Sequence, residues 1–194
     1  MTLEQQPKYQ KNVNVISKKV TKEYKSIKKI LELIPKGDLL DIGAAEGFIT
    51  YIAHNAGHKA FGIEIDEGRV LRGRKHLNAT IYAADIFECL HTFKNYDIFV
   101  VARFLHNIGF GKSLMLMDAI DKKKDYILIV KYKPGKRKET GAKREPLATK
   151  KGIKNLLEQY NLPKKSFPQE TIVAGKGKYK GVPDMLRKHI GEGA

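Results

Sequence analysis

The clearest chemical pattern in the sequence is LLDIGAAEGFIT, residues 39–50. An apolar, strand-like run ends in a turn of small residues, and a helical pattern starts at once. A turn of this kind aims backbone N–H groups and a helix N-terminus at a ligand. Gly43 lets the turn form, Ala44 and Ala45 leave room for a ligand close to the backbone, and Gly47 permits tight packing as the helix begins. Two ligands suit it, a dinucleotide and S-adenosylmethionine. Asp41 discriminates between them, because a carboxylate two residues before the turn repels a pyrophosphate but suits an ammonium and a sulfonium. The spacing also departs from G-x-G-x-x-G, since only Gly43 and Gly47 are present. The sulfonium ligand is the better match.

Two further carboxylates fit the same ligand. Glu64 ends the run GIEID, where it can accept both ribose hydroxyls of an adenosine. Asp85 ends AAD after the next apolar run, where it can accept from an adenine amino group. Asp and Glu commonly close strands, so each signal alone also fits an ordinary strand-end cap. Three in register on consecutive strands argue for one ligand.

The elements that must hold these residues alternate along the chain. A lysine-rich segment from about Ser17 to Ile34 has Val20, Tyr24, Ile27, Leu31 and Ile34 at helical spacing and ends at Pro35 and Gly37. Strands are predicted at 39–43, 60–66, 79–85, 96–102 and 126–132, with helices at 47–57, from 67 to about 74, and near 112–120. Strand–helix alternation with β-branched strands predicts a largely parallel sheet covered on both faces. A basic, turn-rich loop spans 133–146, a helix follows at about 148–160, and 166–177 reads as a closing antiparallel pair interrupted by Pro168. A short helix is expected near 183–190. The organisation is a basic arm and helix over 1–36, an α/β domain over 37–180 and a tail over 181–194.

The 194 residues carry a formal net charge of +16. Its distribution is uneven: residues 37–121 total −3, whereas 1–36 total +6 and 122–151 total +9. Clustered cations favour a polyanion, because binding releases phosphate counterions. A solvated, soluble surface is the alternative reading. No apolar run approaches the ~20 residues of a membrane span, so no membrane association is expected. The N-terminus lacks the apolar stretch of a secretory signal. The single cysteine, Cys89, precludes an intramolecular disulfide and reads as a buried small apolar residue in a reducing, cytoplasmic setting. His54 and His58 stand at i,i+4 without a third ligand, so no metal site is expected.

From about residue 37 to 175 the chain resembles the class I S-adenosylmethionine-dependent methyltransferases. LLDIGAAEG resembles the family's first motif, GIEID the second, AAD the third and YDIFVVARFLHNI the fourth. The resemblance implies a Rossmann-like α/β fold with a mostly parallel seven-stranded sheet and an antiparallel last strand. It implies that Asp41, Gly43, Ala44, Ala45 and Gly47 line the methionine portion of S-adenosylmethionine. Glu64 and Ile65 would meet the ribose end, Asp85 and Ile86 the adenine, and Arg103 and Phe104 the region of the transferring methyl.

Within that family, the FtsJ-like ribose 2′-O-methyltransferases carry a Lys–Asp–Lys–Glu tetrad whose second lysine sits on the fifth strand. By partial resemblance, Lys131 takes that place, with Lys25 on the N-terminal helix and Glu170 before the last strand. The departures are an Ala102–Arg103 pair where those enzymes have Asp, and Glu46 where they commonly have Pro. A strand-end lysine on a basic surface remains the alternative for Lys131. His106 is a candidate base, with a structural histidine as its alternative.

The basic loop leaves the fifth strand near the expected cofactor, with Tyr132 and Tyr179 in basic sequence nearby, so RNA is the leading substrate class. The alternatives are a small-molecule or protein methyltransferase, and a nucleic-acid-binding module that keeps the fold without turnover.

Overall fold

The computed structural model describes residues 24–132, 149–168 and 170–191. Seven strands form one sheet: β1 (Asp38–Ile42), β2 (Lys59–Glu64), β3 (Ile81–Ala83), β4 (Ile98–Ala102), β5 (Tyr126–Lys131), β6 (Lys164–Phe167) and β7 (Thr171–Lys176). Their order is β3-β2-β1-β4-β5-β7-β6. All neighbours are parallel except β7, which runs antiparallel to both β5 and β6. The expected Rossmann-like α/β fold with an antiparallel last strand is therefore present. The strand order reverses at β1, between β2 and β4, which is where sheets of this kind bind ligands at the carboxyl ends of their strands.

Among the described residues, six helices cover the sheet: α1 (Lys25–Leu33), α2 (Phe48–Asn55), α3 (Glu67–Leu77), α4 (Leu105–Asp121), α5 (Lys150–Glu158) and α6 (Val182–Ile190). The strands explain the layering. Along β5, Tyr126, Leu128 and Val130 face one core with α4 and α5, while Ile127 and Ile129 face the other with α1, α2 and α6. Both faces are apolar because both are covered, hence the nearly continuous hydrophobic run YILIV. The segments set apart in the sequence as 1–36 and 181–194 thus contribute α1 and α6 to the same core as Val100 and Val173. Ser26 at the start of α1 hydrogen-bonds Thr171 at the start of β7, at 2.9 Å inside the protein.

Several boundaries differ from expectation. The helix expected near 112–120 begins at Leu105, because Gly109 (φ 76°, ψ 170°) interrupts its helical path and, with Gly111, masks the pattern in sequence. The third strand is only Ile81–Ala83. Of the helix expected from Ser17, only the part from Lys25 is described, and the basic loop 133–146 lies outside the described residues. Cys89 is half-buried rather than enclosed.

One close approach ties α3 to the turn after β1. A Cβ on Gly73 would lie 2.4 Å from the Glu46 carbonyl oxygen and 2.6 Å from Ile81 Cδ1. Gly73→Ala therefore lowers stability by about 1–3 kcal/mol, since backbone has to move. Gly111→Ala, in open helical space, raises it by about 0.5–1 kcal/mol. Urea unfolding of the two variants checks both signs; a neutral Gly73→Ala would refute the packing argument.

Candidate functional site

The turn after β1 is held from β2. Gly43 N–H and Ala44 N–H both donate to the Ile63 carbonyl, at 2.9 and 3.0 Å. Gly43 adopts φ 71° and Ala45 φ 50°, a left-handed geometry that glycine accepts freely and alanine does not. Ala45 N–H donates to Glu64 Oε2 at 2.9 Å, and Asp66 N–H donates to Glu64 Oε1 at 3.0 Å. Glu64 is thereby fixed at the end of β2, with lone pairs left on both oxygens.

Asp41 lies one residue inside β1 and is 1% exposed. Its Oδ2 accepts from Thr50 N–H at 3.1 Å and from the Thr50 hydroxyl at 2.9 Å. Burial pushes its carboxyl up to about 7; the two Thr50 bonds oppose that shift and repulsion from Glu64 adds to it. A buried carboxylate in this state is poised to gain from a cationic ligand.

Two adjoining cavities open along this edge. One, of about 390 Å³, is walled by Asp41, Ala44, Ala45, Glu46, Phe48 and Arg103. The other, of about 130 Å³, is walled by Ile65, Asp85, Ile86, Phe87, Ile108 and Lys112. Gly43, Glu64 and Phe104 border both. A Cβ on Gly43 would lie 2.4 Å from Phe104 Cδ2, so the ring rests on the glycine between the two chambers. Asp85 Oδ1 accepts from Phe87 N–H at 2.9 Å. The sequence-predicted residues Asp41, Gly43, Ala44, Ala45, Glu64, Ile65, Asp85, Ile86, Arg103 and Phe104 are thus brought to one continuous site. Gly47 is the exception: a Cβ there would meet Ile81 and Ala79, so Gly47 packs α2 on β3 instead of lining a cavity.

A second cluster adjoins Tyr24 and Arg103, which line the larger cavity. Lys131 Nζ is 3.8 Å from Glu170 Oε2 and 5.8 Å from the centre of the Tyr24 ring. Arg103 stands 5.9 Å from the same ring, a cation–π distance like that of Lys131. The Lys131 side chain is 1% exposed, so it is no surface lysine. Arg103 (φ 57°) and Glu170 (φ 55°) are left-handed without being glycine, a strain of about 1–3 kcal/mol each. Both are bound to the neighbourhood of Lys131: Arg103 N–H donates to the Lys131 carbonyl at 2.6 Å, and Tyr132 N–H donates to the Glu170 carbonyl at 3.0 Å.

Lys25 does not join this cluster; it is exposed on α1, one residue beyond Tyr24. His106 sits half-buried in the first turn of α4 and lines neither cavity, whereas Asn107 lines the larger one and donates to the Arg103 carbonyl at 3.0 Å. Sequence reasoning missed Phe48, Ile108, Lys112 and the role of Tyr24 at the cavity. Ile108 and Lys112 stand at i,i+4 after the fourth strand, a signal that the two glycines concealed. In sequence, Tyr24 reads only as an apolar helix position. Among the described residues, no group of three or more His, Cys, Asp or Glu could hold a metal, and no helix is long and apolar enough to cross a membrane.

Neither protein-family models nor curated protein sequences gave a match. Solved structures did. The chain is similar to a SAM-dependent methyltransferase from Archaeoglobus fulgidus, at 13% identity and a TM-score of 0.64, over 82% of this chain and 94% of that one. It is similar to the magnesium protoporphyrin IX methyltransferase of Synechocystis, solved with bound SAM, at 14% identity and a TM-score of 0.56, over 87% and 79% of the two chains. An O-methyltransferase family protein from Burkholderia thailandensis aligns at 8% identity and a TM-score of 0.56; the match spans 85% of this chain and 59% of that one. The fold is that of the SAM-dependent methyltransferases. The two cavities stand at the carboxyl edge of its sheet, at the reversal of strand order.

The raised Asp41 pKa has a consequence for stability. The folded chain holds the proton more tightly than the unfolded chain, where the ordinary value is 3.8. The stabilising contribution is therefore complete below pH about 4 and is lost as pH rises through about 7. Asn at position 41 keeps an acceptor for Thr50 and never ionises. Asp41→Asn should raise the melting temperature at pH 8 and leave it nearly unchanged at pH 4.5; equal effects at both pH values would refute the buried-carboxylate argument.

Proposed function

We propose that this protein is an enzyme that transfers a methyl group from S-adenosylmethionine to RNA. The observation that carries the cofactor assignment is the pair of cavities joined at Gly43 and Glu64, with buried Asp41 on one side and Asp85 on the other. Their chemistry fits the three parts of that molecule. The smaller, mostly apolar chamber with Asp85 suits an adenine, whose amino group the carboxylate accepts. Glu64 keeps lone pairs for two ribose hydroxyls. Asp41 attracts an ammonium, and Ala44 and Ala45 leave space beside the backbone. When bound, S-adenosylmethionine supplies a methyl group on a positively charged sulfur, open to in-line attack.

The chain's own contribution at the acceptor end is positioning and charge. Tyr24 offers a ring face already flanked by Arg103 and Lys131. Lys131, paired with Glu170 and shielded from water, can orient an acceptor hydroxyl and offset negative charge that develops on its oxygen. This supports the tetrad-like reading for Lys131 and Glu170 and leaves Lys25 outside it. RNA is supported by the net charge of +16 and its concentration outside residues 37–121. A small-molecule acceptor is the second reading, favoured by the Burkholderia O-methyltransferase family protein and the protoporphyrin methyltransferase among the similar structures.

Calorimetric titration with S-adenosylmethionine tests the cofactor. Asp41→Ala and Glu64→Ala should each weaken binding at least about tenfold, the loss expected when a charge-assisted contact goes. Wild-type affinity should fall as pH drops below about 7, because Asp41 then takes up a proton and loses its attraction for the ammonium. Absence of binding by folded protein would defeat the proposal.

Transfer of labelled methyl groups tests the acceptor. RNA should become labelled, and Lys131→Met should abolish that labelling while cofactor binding persists. Labelling of small phenols or carboxylic acids, with none of RNA, would establish the second reading instead.

A further inference from the structure

Among the described residues, a further cavity lies away from the cofactor-edge site. It is a groove of about 790 Å³ at the opposite end of the sheet, where β4 and β5 begin. Its walls are the 3₁₀ turn Leu90–Asn95 and the last turns of α4 with the loop that follows. The floor is apolar, from Leu90, Met115 and Ala119, and Met115 is 54% exposed. Four cationic or basic side chains rim it: His91, Lys94, Lys122 and Lys124, all exposed. Lys123 is held beneath them, donating to the Lys94 carbonyl at 3.0 Å and lying 3.8 Å from Asp97.

The carboxylates nearby are already engaged. Asp118, which lines the groove, accepts from the Tyr160 hydroxyl at 2.7 Å. Asp121 accepts from Tyr126 and Lys176, and Asp125 accepts from the Lys178 N–H. Among the described residues no carboxylate pairs with the side chains of Lys94, Lys122 or Lys124. A concavity rimmed by unpaired cations over a low-dielectric floor concentrates positive potential.

The groove and the cofactor edge share one helix, α4, whose path is interrupted at Gly109. Ile108 and Lys112 on this helix line the smaller cofactor-edge cavity, and Met115, Asp118, Ala119 and Lys122 line the groove.

We propose that this groove is a second binding site, which takes the phosphodiester backbone of a single-stranded RNA and anchors it while another part of the strand reaches the methyl-transfer end. The inference rests on the reading of RNA as acceptor. The lysine rim matches phosphates, and the apolar floor matches an unstacked base, which a duplex does not present. The groove thus assigns a role to Lys122–Lys124 and Lys94 that the cofactor edge does not use.

Anisotropy of a fluorescent single-stranded RNA, titrated with full-length protein at several salt concentrations, tests it. The triple variant K94E/K122E/K124E should bind at least about tenfold more weakly. Its log–log salt dependence should be shallower by about 2, for three phosphates on a single strand. A control with the same charge change elsewhere, K29E/K151E/K188E, should lose less, and both variants should bind S-adenosylmethionine like wild type. Equal losses in the two triple variants, or retained affinity in the first, would overturn the groove while leaving RNA as acceptor. Displacement of the RNA by polyglutamate at equal charge concentration would show a site for acidic protein and overturn it as well. Failure of the wild-type protein to bind any RNA would instead overturn both the groove and the acceptor reading.

Discussion

The end of β2 grips the turn after β1, and most of the site depends on that grip. Two successive N–H groups of the turn share the Ile63 carbonyl, and the Glu64 carboxylate takes the third, from Ala45. A turn bonded in this way cannot relax without breaking the edge of two central strands. It orients α2, whose Thr50 holds Asp41 from the other side. It also sets the backbone surface on which Phe104 rests and against which α3 closes at Gly73. Side chains from β1, β2 and the segment after β4 therefore share one edge because a single hydrogen-bonded loop fixes all three.

That edge is expensive to maintain. A carboxylate buried in β1 and an ammonium buried at the end of β5 both lose hydration, and their partners offset only part of the cost. Among the described residues, those held left-handed without being glycine are two asparagines with Ala45, Arg103 and Glu170, and the last three lie here. Strain and burial are thus gathered at one end of an otherwise apolar, fully covered sheet. The continuous cores of β4 and β5, with Phe99 and Tyr126 fully buried, supply the stability that tolerates it.

Charge is distributed along the strand direction. The carboxyl edge gathers Asp41, Glu64 and Asp85 at the two cavities, with Arg103 and Lys131 beside Tyr24. The opposite end, where β4 and β5 begin, gathers Lys94 and Lys122 to Lys124 around a groove. Strands of five and six residues separate the two ends by about 13–17 Å. At physiological ionic strength that exceeds the ~8 Å over which exposed charges act strongly on one another. An edge rich in carboxylates and a basic surface can thus coexist on a small domain without cancelling.

Local patterns made much of this legible from the sequence alone. The alternation of β-branched runs with helical periods determined the parallel sheet, since a strand covered on both faces has to be apolar throughout, as YILIV is. The small residues of LLDIGAAEG and the carboxylates that close three consecutive strands determined which edge carries the site, because register follows from strand order. Other features depend on packing between distant segments and left no local mark. Gly47 could be read equally as ligand-facing or as a packing residue until Ile81 and Ala79 were found against it. Lys131 looked the same in sequence as a surface lysine; its burial follows from α1 lying across β5 and β7, tied by Ser26 and Thr171, residues 145 positions apart. The groove of lysines likewise joins a 3₁₀ turn near residue 90 to a helix end near residue 122. Sequence determined the fold and the edge that carries the candidate site through short-range periodicity; tertiary structure alone decided which charged side chains lose water and which meet, because both depend on contacts between residues far apart in the chain.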